Sequence, residues 1–467
     1  MRFTKFGKAL CMGALSAGII FGVASCVESY AVGYLFVTGT LTAQSGNNGV
    51  ITGFQIDHNT GQLIELHGFP ISSGGANPVR AVLVLGSRFV YVLNRGVNAA
   101  GNGDCTSANP CQSPNITQFV VGGNGILTYQ QTFYTQGRNP FRLLADAAGA
   151  HLFVLDHDAP DSNEFTGANA TSNSCSAALG SGVTSCGDIT VLQIDQTTGR
   201  LSTVTNAAVT SQNCPNSSLS CPLTYFPVPA NPVDFVLAGT SAVLTLTGAS
   251  APASYPYTGG TAVWPYVNGN GQLTLSQSGV QALSIHQGNA LVFASNVLYV
   301  LDNEPVTSTF SGSSTTYASQ ILPFSVGAGG ALNAEPSGVI PDAPCLANPT
   351  YLLVESKGQY LYLANAQGNP AGANCPNGGI AGYFLTTSPS YQLSFIPDEP
   401  FGSGSGPQCI VEDPSDQYIY EANQNDSTVT GQVLEPETGT LTLLRVNGGT
   451  YSLPGQPTWC FVDGRTG

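Results

Sequence analysis

Five side chains stand two residues after a proline that opens an alternating apolar run: Arg80, Arg142, Asp234, Tyr351 and Trp459. Cys409 holds the matching place after Pro407, and His286 lies just ahead of the run Ala290 to Ala294, which no proline opens. Gathered in one place, two guanidinium groups, a carboxylate, an imidazole and two aromatic rings suit a small anionic or sugar-like ligand. A guanidinium meets a carboxylate or phosphate with two parallel donors. The same set could activate water, with Asp234 or His286 as base and Arg80 and Arg142 steadying an oxyanion, while Tyr351 and Trp459 bind the ligand. The competing reading is structural: these side chains hydrogen-bond neighbouring segments and order water between them.

Other chemistry is sparser. Asp156, Asp158 and Asp161 belong to the run Asp156-His157-Asp158-Ala159-Pro160-Asp161-Ser162-Asn163-Glu164, the densest series of oxygen ligands in the chain. Hard cations take several carboxylates at flexible spacing, so a structural calcium ion is the metal this run would hold, although it lacks EF-hand spacing. The alternative is a solvated acidic loop, and the chemistry above requires no cofactor. Gly402-Ser403-Gly404-Ser405-Gly406 has the outer glycines of a nucleophile elbow but reads as a linker between strands.

Only 8% of the 467 residues are charged, whereas Gly (56) and Pro (30) are frequent and apolar residues reach 42%. That mixture suits an all-β chain with many turns. Residues 1–25 carry Arg2, Lys5 and Lys8 ahead of an apolar run from Ala9 to Ala24, the charge order and length of a secretory signal. Val23-Ala24-Ser25-Cys26 resembles the lipobox of bacterial lipoproteins, which implies a lipid on Cys26 and a place in the cell envelope. The alternative is an ordinary signal and a soluble secreted or periplasmic protein. Without the signal, nine of the twelve basic residues face all 27 acidic ones, a net charge of −18, and Lys357 is the last lysine. Such a surface cannot neutralise a row of phosphates, so nucleic acid is excluded as a partner. The membrane would be met only through the lipid. A small ligand or another surface protein is then the expected partner.

Ten cysteines follow Cys26, an even number in an exported chain, which argues for disulfides. Nearness in sequence pairs Cys105 with Cys111, Cys175 with Cys186, and Cys214 with Cys221. Cys345 with Cys375, and Cys409 with Cys460, are the remaining bonds, with two buried free thiols as the alternative for the last pair. No spacing among them is of zinc-binding CxxC type.

What could position these residues is a repeat. In Asn77 to Asn94 an Asn-Pro pair leads into an apolar strand, a tight turn at Gly86-Ser87, and a second strand ending in Asn. Arg80 precedes Tyr91 by 11 residues, and the same step joins Arg142 to Phe153, Tyr351 to Tyr362 and Cys409 to Tyr420. Asn94, Asp156, Asn365 and Asn423 stand three residues further on. Outer hairpins with Gly-bearing turns follow at Val50 to Leu66, and from Ile116, Ile189, Val263, Ile321 and Val429. Inner and outer hairpins together make the four-stranded blade of a propeller. Seven inner first strands can be counted, and the last, Pro457 to Val462, has no second strand after it. The orphan strand Gly33 to Gly39 supplies one. The expected fold is therefore a seven-bladed β-propeller of four-stranded antiparallel blades over residues 33–467, closed by pairing of the N-terminal and C-terminal strands.

Second strands such as Phe89-Val90-Tyr91-Val92-Leu93-Asn94, and turns such as Asp195-Gln196-Thr197-Thr198-Gly199, give the chain from about Gly33 to Asp463 its resemblance to the lactonase and YVTN-repeat propellers. That group includes a 6-phosphogluconolactonase. The resemblance implies the propeller fold and, as one functional alternative, lactone hydrolysis at the channel mouth by Arg80, Arg142, Asp234 and His286. The other is a noncatalytic binding or interaction module outside the cytoplasm, with its site on the face that carries the long connections.

Overall fold

The computed structural model describes residues 30–41 and 48–464, apart from 85, 87, 102–104, 107, 161–173, 181, 212–220, 248–261, 277–280, 283–286, 311–312, 336–337, 370–374 and 386–392. Seven four-stranded antiparallel sheets form a propeller. The inner strands are Pro78–Val84, Arg138–Ala145, Pro232–Ala238, Gly288–Ala294, Leu346–Val354, Pro407–Glu412 and Gln456–Asp463, in blades one to seven. Blade seven is closed as expected. Ala31–Thr40 pairs with Gln456–Asp463 on one side and with Gly49–Asp57 on the other, so Tyr34 faces Asp463 and Thr40 faces Gln456.

The sequence repeat is explained by the joint between blades. In six of the seven blades the turn between the third and fourth strands carries a glycine with positive φ, such as Gly61 (66°) and Gly199 (70°), a conformation that L side chains resist. Gly61 and Gly199 lie under aromatic rings of the preceding blade, where a Cβ on Gly61 would be 2.4 Å from Tyr418 and one on Gly199 would be 2.8 Å from Phe89. In three blades a tyrosine of the second strand donates to the glycine carbonyl: Tyr91 to Gly199 at 2.5 Å, Tyr362 to Gly439 at 2.7 Å and Tyr420 to Gly61 at 2.6 Å. The last of these joins residues 359 apart in sequence, so the ring closes through the same contact that holds its interior.

A second repeated device sits where the second strand ends. Asn94 accepts from Ser73 Oγ and donates through Nδ2 to Asn115, Thr117 and the Ser73 carbonyl. Asp156 takes a hydrogen bond from Thr135, Asp302 one from Gln320, and Asn423 donates to Thr430. These side chains are buried, and each ties its blade's second strand to the third strand or to the chain returning across it. Burial pushes the Asp156 carboxyl well up, with Asp158 adding to the shift and hydrogen bonds from Thr135 and Thr190 opposing it.

Several features depart from the sequence reading. Blade five has an outer pair, Gly379–Leu385 and Leu393–Phe395, which the turn signals did not mark. Two connections read as plain loops form extra hairpins, Asn206–Ser211 with Cys221–Leu223 and Val306–Phe310 with Ser313–Tyr317. Short return strands, such as Ile71–Ser72 and Thr450–Ser452, add to the third strands. Among the described residues, four disulfides join Cys105 to Cys111, Cys175 to Cys186, Cys345 to Cys375 and Cys409 to Cys460, a set that fits an oxidising, extracytoplasmic setting. The last spans 5.9 Å between Cα atoms and ties the inner strands of blades six and seven, so these two cysteines are not free thiols. Cys214, paired with Cys221 in the sequence reading, lies outside the described residues, as do residues 1–29 with the signal and Cys26.

Candidate functional site

Each inner strand begins with the same irregularity. Pro78 faces Asn94 and Arg80 faces Leu93, so Val79 is an extra residue in the ladder. Phe141, Val233, Asn289, Thr350, Gln408 and Thr458 are extra in the same way in the other six blades. A bulge bends the strand and lets consecutive side chains point to one side, where a regular strand would alternate them. Proline fits at its start because the inner strand is a sheet edge, where no ladder hydrogen bond is lost. In blades one, two, three and five the preceding Asn77, Asn139, Asn231 and Asn348 have φ between 50° and 58°, a turn that asparagine tolerates.

Seven bulges at one end of a channel produce two layers of side chains. The residues two past each proline, Arg80, Arg142, Asp234, Tyr351 and Trp459, converge on a cavity of about 340 Å³. Above it an outer vestibule of about 460 Å³ is lined by the extra residues of most blades and by Arg95, His157 and Gln424. Arg80 and Arg142 form the boundary shared by the two spaces.

Within the deeper layer the contacts are specific. Arg142 Nε donates to Asp234 Oδ1 at 2.9 Å, and its terminal nitrogen donates to the Phe141 carbonyl at 3.2 Å. Asp234 also accepts from the backbone N–H of Phe235 and of Leu291, both at 2.9 Å. Blade four places only Ala290 in this layer, and Asp234 reaches across to it. Blade six places Cys409, drawn into the disulfide with Cys460, and Tyr351 crosses that gap to meet the Trp459 ring edge-on with centroids 4.9 Å apart. The guanidinium of Arg80 lies over the Trp459 face at 3.7 Å.

Arg80 is surrounded by protein yet half-open to the channel lumen. Among the described residues it has no hydrogen-bond acceptor. Enclosure and the nearby Arg142 bring it down to about 9, and Asp234 and Tyr351 partly offset this. It therefore remains charged at neutral pH. Burial pushes the Tyr351 hydroxyl up, with Asp234 adding to the shift and Arg80 opposing it, so this group is a proton donor rather than an anion.

The structure thus brings together Arg80, Arg142, Asp234, Tyr351 and Trp459, whereas His286 lies outside the described residues. Asp156 and Asp158 are buried, and Asp161 is also outside the described residues. Asn139 Nδ2 donates to Asp158 at 2.7 Å, and among the described residues no group of three or more His, Cys, Asp or Glu side chains could hold a metal. The vestibule residues Arg95, His157 and Gln424 were not singled out from sequence as site residues. Their signal was present: each directly follows the Asn or Asp that faces an inner-strand proline, Asn94, Asp156 and Asn423. His157 stands with Nδ1 3.6 Å from Asp158 Oδ1 and its ring 6.1 Å from Phe141.

No family model matches the chain, and no curated protein matches it. Solved structures do. A candidate 6-phosphogluconolactonase from Bacteroides fragilis superposes with a TM-score of 0.59 at 13% identity, over 94% of this chain and 99% of that one. The periplasmic gluconolactonase of Pseudomonas aeruginosa gives 0.57 at 16% identity, over 92% and 99%. A hypothetical selenium-binding protein from Sulfolobus tokodaii gives 0.53 at 10%, over 94% and 95%. Likeness at this level, to proteins described so differently, establishes the propeller fold and nothing about chemistry.

Proposed function

We propose that the protein is an exported binding propeller, anchored by a lipid on Cys26, that captures a small carboxylate-bearing ligand at the channel mouth. The observation that carries this reading is the state of Arg80, whose guanidinium is enclosed, flat on Trp459, and without an acceptor among the described residues. Donors left unmatched in an enclosed site favour a ligand that supplies oxygen atoms. Charge placement agrees, since three of the nine basic residues beyond the signal, Arg80, Arg95 and Arg142, meet at this mouth in a chain whose net charge is negative. A localised positive potential in an acidic protein steers anions to one place. The chain rises into Ala31–Thr40 from the end where the inner strand of blade seven finishes, so a lipid on Cys26 would leave the mouth directed away from the membrane.

The second reading is lactone hydrolysis, favoured by His157 standing in the vestibule beside both arginines and by the gluconolactonase among the fold neighbours. Against it, Asp234 is already engaged by Arg142 and two backbone N–H groups, which weakens it as a base. Calorimetric titration of the mature protein with a panel of carboxylates and of sugar and aromatic lactones separates the two. Binding without turnover, lost in the double variant Arg80→Ala, Arg142→Ala, is the expected result. Turnover of a lactone that the double variant abolishes would establish the second reading instead.

A further inference from the structure

The two spaces that share Arg80 and Arg142 differ in chemistry. The vestibule presents Arg95, His157, Asn289, Asn348, Gln408 and Gln424, side chains that can hydrogen-bond in every direction. Below the arginines the wall is made by Val82, Leu144, Val236, Val292 and Phe293, with the rings of Tyr351 and Trp459 at the top. The side chains there offer hydroxyl groups no partner, so a polyhydroxy ligand would have only the backbone edges of the inner strands to replace its water. An apolar group would instead gain by leaving water. Size is informative too: a cavity of roughly 150 Å³ lined by apolar side chains holds a benzene ring. The inner space of about 340 Å³ takes one ring with a short chain.

Charge counting narrows the head group. Asp234 neutralises Arg142 through its Nε, while Arg80 has only the uncharged face of Trp459 beneath it. The deeper layer therefore carries one uncompensated positive charge. A second carboxylate in the apolar space would be buried without a partner.

We infer that the ligand is an arylalkanoic or comparably apolar monocarboxylate, its carboxylate on Arg80 at the boundary between the two spaces and its ring in the inner cavity. This rests on the carboxylate-binding reading above and adds the class of acid. It separates the ligand from the polyhydroxy acids that the gluconolactonase neighbour would suggest.

The test is calorimetric titration of the mature protein with 3-phenylpropionate, its neutral amide 3-phenylpropionamide, and gluconate. The acid is expected to bind at least about 30-fold more tightly than the amide, the size of effect that a lost charge-assisted pair produces. Arg80→Gln should remove that preference, and Leu144→Phe, which fills the inner space, should weaken the acid by about tenfold through overpacking. Because Leu144→Phe could disturb the blade, direct competition between 3-phenylpropionate and gluconate on the unaltered protein is the second measurement, and phenylpropionate should win. Gluconate binding through Arg80 more tightly than phenylpropionate would overturn the apolar class and leave carboxylate binding standing. Equal binding of acid and amide, or no binding of any probe, would overturn both.

Discussion

Two rings of side chains circle the channel at nearly the same height. One comprises Asn94, Asp156, Asp302, Asn365 and Asn423 of the second strands, where short polar residues recur and each is spent on hydrogen bonds to its own blade or to the chain arriving from the one before. The other, lying opposite across the bulge, comprises Arg80, Arg142, Asp234, Ala290, Tyr351, Cys409 and Trp459, in which only arginine occurs more than once. The backbone geometry is shared, so the difference lies in what the side chains are asked to do. A position that must hydrogen-bond the chain crossing it is held to Asn or Asp in five of the seven blades. A position facing the lumen is free of that demand, and its variety builds an asymmetric site on a symmetric frame.

The comparison breaks most completely if the frame is opened. Deleting residues 27–40 removes the strand that pairs with both Gly49–Asp57 and Gln456–Asp463, leaving two sheet edges exposed. No cooperative thermal transition should remain, and a variant that stays monomeric with an unchanged melting temperature would refute closure by this strand. A smaller perturbation tests the uniform ring itself. Asn94→Ala strips partners from Ser73, Asn115 and Thr117 and should cost about 3 kcal/mol, measured by denaturant unfolding. Asp156→Asn should be neutral or stabilising at pH 7.5, because burial disfavours a charge at that place and three other blades carry Asn there. Neither variant should change carboxylate affinity. A shift of that affinity in either would show that the two rings are coupled.

The frame was legible in sequence because it is periodic: the step of 11 residues from Arg80 to Tyr91 is the bulged hairpin itself, and Asp195 to Gly199 is the turn that locks one blade under the next. Blade five's outer pair escaped notice because its connecting turn, within 386–392, lacks the glycine that marks the others. The deeper layer of the site was legible too, since it keeps a fixed offset from proline. The vestibule was not. That Val79 and Arg80 both approach the channel depends on the bulge, and alternation along a regular strand would have turned one of them away. Arg95 follows its strand into a long connection, and His157 is carried by a strand that runs on to Asp158, an extension that local residue preferences do not determine.

The smallest effect separates the rings by pH. Asp342 is pushed up to about 6 by burial, Glu399 to about 7 by burial and by Asp342, and Glu412 to about 7 by burial and its acidic neighbours. All three lie away from the channel mouth, and each holds its proton in the fold at a pH where the unfolded chain has released it. Their contribution is present below the ordinary carboxylate range and is lost as pH rises towards 7. Asp195, lowered by hydrogen bonds from Thr198, works in the opposite sense but below that window. Because Glu399 and Glu412 are partly exposed and screened, the melting temperature should fall by only about 2 to 4 °C between pH 5 and pH 8. Glu399→Gln should flatten that slope. Carboxylate affinity should stay level across the same range, because Arg80, faced by Arg142, Asp234 and Tyr351, keeps its charge until about 9, and should decline above it. Affinity that followed the melting temperature between pH 5 and pH 8 would mean that ligand binding draws on the frame, and the division between a uniform scaffold and an independent site would fail.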